Sequence, residues 1–111
     1  MITIKEYING QGRIPFARWF DGLDPQAAAK VATALLRIEY GKFSNAKGVG
    51  AGVFEYKIDY GPGYRVYFGK DGDKLVILLG GGTKRQQQKD IETAKELWKE
   101  YKKRKKQERS G

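Results

Sequence analysis

The sequence predicts an α+β fold: an N-terminal strand and a two-helix hairpin packed on a small antiparallel sheet, followed by a C-terminal helix. Three observations carry this. Apolar residues recur at helical spacing between residues 14 and 41, alternate as in strands between residues 53 and 79, and return to helical spacing after residue 90.

The opening MITIKEYI alternates Ile2 and Ile4 with Thr3 and Lys5, as a strand does, and the turn-forming NGQG at 9 to 12 ends it. In IPFARWFDGL, Phe16, Trp19, Phe20 and Leu23 fall on one helical stripe. Asp24 then offers an N-cap with Pro25 at the first helical position, and Val31, Ala34, Leu35 and Ile38 repeat the spacing up to Gly41. The glycine-rich SNAKGVGAG reads as a loop. VFEYKID, YRVYFG and KLVILL read as strands, with DGD turning between the last two. GGGTKRQQQKD reads as a second loop, and Ile91, Ala94, Trp98 and Tyr101 form the stripe of the last helix. Residues 1–101 are thus expected to form one domain and residues 102–111 a basic tail.

Alternation assigns faces. Phe54, Tyr56 and Ile58 share an apolar face with Tyr64, Val66 and Phe68, while Glu55, Lys57, Asp59, Arg65 and Tyr67 point the other way. Matching these faces around the turn predicts Tyr60 opposite Tyr64, Arg65 opposite Asp59 and Lys57 opposite Tyr67. LVILL is apolar on both faces and suits a central strand. The expected result is a sheet with helices on its apolar face and an open polar face carrying Lys57, Arg65 and Tyr67.

Charge narrows the partners. The chain of 111 residues carries 22 Lys and Arg against 13 Asp and Glu, a net charge of +9, which suits a polyanionic partner, with nucleic acid first and an acidic protein second. The run KKRKKQER accounts for much of the excess, and the rest of the chain stays mildly basic. No apolar run approaches the roughly 20 residues that cross a bilayer. No membrane role is expected, and with no signal peptide visible a cytoplasmic location is the simplest reading. The absence of cysteine and histidine excludes disulfides, most zinc sites and histidine-based acid–base chemistry. GGGTK lacks the spacing of a P-loop.

Phosphate-directed chemistry needs only cations, which hold the phosphate and offset charge developing on its oxygens. Lys57, Arg65, Lys84 and Arg85 form a workable set, with no metal or cofactor called for. Each has an ordinary structural role as well. Arg65 can pair with Asp59 across the strands, Tyr67 can be a plain strand former, Asp90 can favour the N-terminus of the last helix, and Gln86, Gln87 and Gln88 can be simple surface.

The runs VFEYKIDYGPGYRVYF and LVILLGGGTKRQQQKDIETAKELW, with GRIPFARWFDGLD upstream, resemble the addiction-module killer proteins, the HigB-like branch of the RelE/ParE toxin superfamily. The resemblance covers nearly the whole chain except the basic tail. It implies a toxin of a type II toxin–antitoxin system, with a RelE-like fold. RNA-cleaving members cut mRNA on the translating ribosome and are held by a cognate antitoxin, in this branch usually a helix-turn-helix DNA-binding protein.

By this resemblance Arg65 matches the arginine that contacts the scissile phosphate, Lys57 lies near a basic position of the preceding strand, and Lys84 and Arg85 match a Lys-Arg pair after the next strand. Lys57 is then the preferred proton acceptor, with Asp90 and Tyr67 as secondary participants, and Tyr67, Lys57, Lys84 and Arg85 as RNA contacts. Where RelE has a second lysine, this chain has Glu55, and the tyrosine or histidine common near the C-terminal end is replaced by Asp90 or Ile91. The expected function is a metal-independent, ribosome-dependent mRNA endonuclease. A ParE-like gyrase inhibitor and a non-catalytic RNA-binding module remain as alternatives.

Overall fold

A computed structural model of the chain describes residues 1–110; Gly111, the last residue of the expected tail, lies outside the described residues. The elements are β1 (Thr3–Glu6), α1 (Pro15–Asp21), α2 (Pro25–Glu39), β2 (Ala46–Gly50), β3 (Val53–Ile58), β4 (Tyr64–Lys70), β5 (Leu75–Thr83), a 3-10 turn (Lys84–Gln86) and α3 (Gln87–Ser110). The α+β architecture is the one expected. Asp24 caps α2 by accepting a hydrogen bond from the Ala27 amide at 2.9 Å, and Pro25 occupies the first turn, where its missing N–H costs nothing.

The strands form one sheet in the order β1-β5-β4-β3-β2. β2 to β5 are antiparallel, and β1 joins β5 in parallel, so the sheet is mixed. The expected loop around residues 44–52 contains β2, an edge strand paired to β3 with a bulge between Gly48 and Gly50. Its glycines supply no side chains to alternate, which hides a strand from periodicity.

The hairpin register also differs from the expectation. Ile58 pairs with Tyr64, Lys57 with Arg65, and Glu55 with Tyr67. This is two residues away from the register that placed Arg65 opposite Asp59 and Lys57 opposite Tyr67. A shift of two keeps every side chain on its face, so matching of apolar faces does not distinguish the two registers. What decides is the turn. It spans Asp59 to Gly63, with Gly61 at φ 55° and Gly63 at φ 81°, left-handed values that glycine adopts without strain.

Each face of the sheet carries its own core. On one, Phe16 of α1 and Val31, Ala34 and Ile38 of α2 pack on Tyr56, Ile58, Val66, Phe68, Val76 and Leu78. On the other, Ile91, Ala94 and Trp98 of α3 pack on Val53, Tyr67, Ile77 and Leu79. The face expected to be open is therefore half covered by α3, and Tyr67 is buried beneath it. β5, between β1 and β4, is enclosed from both sides, as its doubly apolar sequence requires.

The glycines after LVILL form the end of β5, not a loop. A Cβ on Gly81 would lie 2.3 Å from the Trp19 ring, and one on Gly82 would lie 1.9 Å from Asp90 Oδ2. On the α3 side a Cβ on Gly69 would meet the Trp98 ring at 2.5 Å. These bare strand positions are the seats of helix side chains.

α3 continues through residues 102–110 without a break. Its inner side is tied down there: Tyr101 donates to Asp71 Oδ2 at 2.6 Å, Lys105 pairs with Asp71, and Arg104 Nη2 donates to the Ile8 carbonyl at 2.6 Å. Among the described residues no helix is long and apolar enough to cross a membrane.

Candidate functional site

α3 leaves the sheet uncovered near the β3–β4 turn. There, a cleft of about 450 Å³ opens between β2 and the ends of β3 and β4, walled by Lys47, Glu55, Lys57, Asp59, Arg65 and the segment Ser44 to Ala46. Arg65 is 5% exposed and Glu55 1%, whereas Lys47, Lys57 and Asp59 stand in solvent.

Glu55 is the centre of the site. Its Oε1 accepts from Gln87 Nε2 at 2.8 Å and from the Tyr67 hydroxyl at 3.3 Å, and lies 3.4 Å from Arg65 Nε. Lys47 Nζ approaches Oε2 at 3.7 Å from the solvent side. The carboxylate is thus held from the two neighbouring strands, β2 and β4, and the first turn of α3. A buried charge needs such partners, because desolvation without compensation costs several kcal/mol.

Arg65 is less fully engaged. Among the described residues its guanidinium makes one hydrogen bond, from Nη1 to the Gly63 carbonyl at 3.3 Å, and its buried Nε makes none. A guanidinium carries five N–H donors in a planar fork. The arginine is charge-compensated by Glu55 while most of its donor capacity is unspent at the wall of a cleft, which is the arrangement that receives an anionic oxygen.

The backbone brings the other cations near. Lys84 donates its amide to the same Gly63 carbonyl at 2.9 Å, so the end of β5 is tied to the turn beside Arg65. The Lys84 and Arg85 side chains are exposed on the 3-10 turn and do not wall the cleft. Lys57 sits directly across from Arg65 and does.

Tyr67 lies deeper, and Asp90 is half-buried on the α3 side. Asp90 rests on Gly82, the cross-strand partner of Arg65. Burial raises its carboxyl above the ordinary value, with Lys89 opposing the shift. Tyr67 is pushed well above the usual phenol value, first by burial and then by the charges of Glu55 and Asp90 and its bond to Glu55, with Arg65 opposing. It is a neutral donor, enclosed, and touches the site through Glu55. The expected set therefore divides into Arg65 and Lys57 in the cleft, Lys84 and Arg85 exposed on the 3-10 turn outside its walls, Tyr67 buried under α3, and Asp90 half-buried over Gly82.

Glu55 and Gln87 are the additions. In the sequence Glu55 reads as a departure from a basic pattern and Gln87 as surface. The available signal is an acid among the outward residues of a strand facing an arginine on the next, and it becomes legible only with the correct turn length.

These features define a class: a small α+β domain with a cationic cleft at a sheet edge and an arginine held by a buried carboxylate. The sequence profile described as phage-derived protein Gp49-like (DUF891) matches residues 18–99, and the chain belongs to this family, which is related to toxin–antitoxin toxins of RelE/HigB-like kind. A Haemophilus influenzae protein described as uncharacterized is 44% identical over 85 residues, covering 76% of this chain and 86% of that relative. Membership in a toxin family implies an antitoxin partner.

Proposed function

We propose that the protein is the toxin of a type II toxin–antitoxin system and acts as an mRNA endonuclease on the ribosome, neutralised by a helix-turn-helix antitoxin. The observation that carries this reading is Arg65, a guanidinium with unspent donors at the wall of a cleft that also holds Lys47 and Lys57.

In the proposed reaction the RNA 2'-oxygen attacks the adjacent phosphorus and the bond from phosphorus to the 5'-oxygen breaks. The products are a cyclic phosphate and a 5'-hydroxyl end. Arg65 takes the non-bridging oxygens, on which charge grows in the transition state, and Lys84 and Arg85 add positive potential from the 3-10 turn that follows β5. Lys57, across the strand pair from Arg65, accepts the 2'-hydroxyl proton, and the departing 5'-oxygen takes a proton from water. Glu55 holds the arginine in place, and Asp90 supports the strand behind it.

The test is induced expression with mapping of mRNA 5' ends, comparing wild type with Arg65→Ala. By analogy with the loss of one preorganised donor, the substitution costs roughly 2.7–4 kcal/mol of barrier, about 10²–10³ in rate. Growth arrest and cleavage that persist in Arg65→Ala would overturn the assignment. The engagement of Arg65 by Glu55 favours a second reading, RNA binding without cleavage, and the absence of new 5' ends from wild type would select it.

A further inference from the structure

The cleft does not end at β3. A second depression of about 250 Å³ lies on the other side of the strand end, between β3 and the exposed face of α2, and the two share Asn45, Lys57 and Asp59 in their walls. They form one channel that passes around the β3 end from Arg65 to α2. The α2 wall carries Lys30 and Arg37, seven residues apart on one side of the helix and roughly 10 Å apart along its axis. Both are exposed. Lys30 Nζ stands over the Tyr60 ring at 5.4 Å, and the Tyr60 hydroxyl donates to Gln26 at 2.8 Å, so the lysine is placed at the channel wall by its own helix and the turn.

We propose that this channel is the path of the single-stranded RNA next to the cleaved phosphate, with Lys30 and Arg37 as phosphate contacts on nucleotides flanking the one held by Arg65. This rests on the RNA-directed reading above and adds to it a second subsite on a different layer of the fold. Lys47, Arg65, Lys57, Arg37 and Lys30 line the two depressions against two carboxylates, Glu55 and Asp59, and Glu55 is already committed to Arg65, Tyr67 and Gln87. Cations on both sides of a bend suit a flexible polyanion, because a single strand turns where a duplex does not. α2 then has two jobs: its buried stripe holds the sheet, and its outer stripe guides substrate.

The test measures binding of 2'-O-methyl RNA, which lacks the attacking hydroxyl, to the full chain and to Lys30→Ala/Arg37→Ala. One probe is long enough to fill both depressions, and a shorter one reaches only the first. The expected result is weaker binding of the long probe, with a salt slope lower by about 1.4, since each lost single-strand phosphate contact removes about 0.7. The defect should be much smaller for the short probe, and a thermal melt by circular dichroism confirms that the variant folds. An unchanged slope with the long probe would overturn the proposal. So would a variant that binds both probes like wild type yet fails to bind the cognate antitoxin, since the channel wall would then belong to an acidic protein partner. Wild-type binding without cleavage of ribosomal mRNA would defeat the endonuclease reading and leave the channel standing; cleavage with an unchanged slope would do the reverse.

Discussion

Arg65 Nε lies 3.4 Å from Glu55 Oε1, and the two residues sit on neighbouring strands, diagonal to each other and two residue pairs from direct opposition. The relationship is unequal. Glu55 also accepts from Tyr67 and Gln87 and faces Lys47, whereas Arg65 has, among the described residues, Gly63 and Glu55 as its polar partners.

That inequality predicts different costs for removing each partner. Glu55→Ala strands a buried guanidinium and should lose about 3–5 kcal/mol, the range for breaking a buried pair. Arg65→Ala leaves the carboxylate with two hydrogen-bond donors and a nearby lysine, and should lose less. Urea denaturation of both variants is the measurement, and equal losses would show that the network does not hold the charge as described.

Asp90 sets a pH dependence of unusual sign. Burial raises its folded-state pKa above the ordinary value of 3.8, so the folded chain binds more protons than the unfolded chain between the ordinary and the raised value. Stability from this group is fully present below 3.8 and falls as pH rises through the folded pKa. Asp90→Asn should remove this fall. Denaturation midpoints of the two proteins, followed upward from mildly acidic pH, should converge at the acid end and diverge in favour of the variant.

The glycine seats predict a rescue. Gly82→Ala pushes on the Asp90 carboxylate and should destabilise by about 1–3 kcal/mol, and adding Asp90→Ala should return part of that loss. Gly81→Ala meets the rigid Trp19 ring instead and should cost more. Thermal melts of the single and double variants check both statements.

The last turns of α3 predict a modest, salt-sensitive contribution. Arg104 bonds the Ile8 carbonyl and stands over the Tyr7 ring at 5.1 Å, and Lys105 pairs with Asp71. Both sit near solvent, where such contacts are worth about 0–1 kcal/mol each. Arg104→Ala/Lys105→Ala should therefore lower stability by about 1 kcal/mol at low salt and by less at high salt, read from urea midpoints at the two ionic strengths.

The order of the elements other than β2, the Asp24–Pro25 start of α2 and the inward faces of β3 and β4 were legible because each is a local pattern. The register was not, since Tyr60 and Ile58 are equally good apolar partners for Tyr64 and only the conformation of Gly61 and Gly63 chooses between them. The error had a chemical consequence: it gave Arg65 the exposed Asp59 as partner and left Glu55 without a role. β2 was hidden by its glycines, and the cover on Tyr67 by a fact no single strand records, that α3 crosses to the face opposite α1 and α2.

The two tryptophans of the chain occupy glycine seats on opposite faces of one sheet, Trp19 on Gly81 and Trp98 on Gly69. Each indole is thereby an optical probe of a different layer. A variant keeping Trp19 alone would report by its fluorescence when α1 leaves the sheet, and one keeping Trp98 alone when α3 does. Comparing the two emission changes during unfolding would time the detachment of the layers separately, with no label added to the protein.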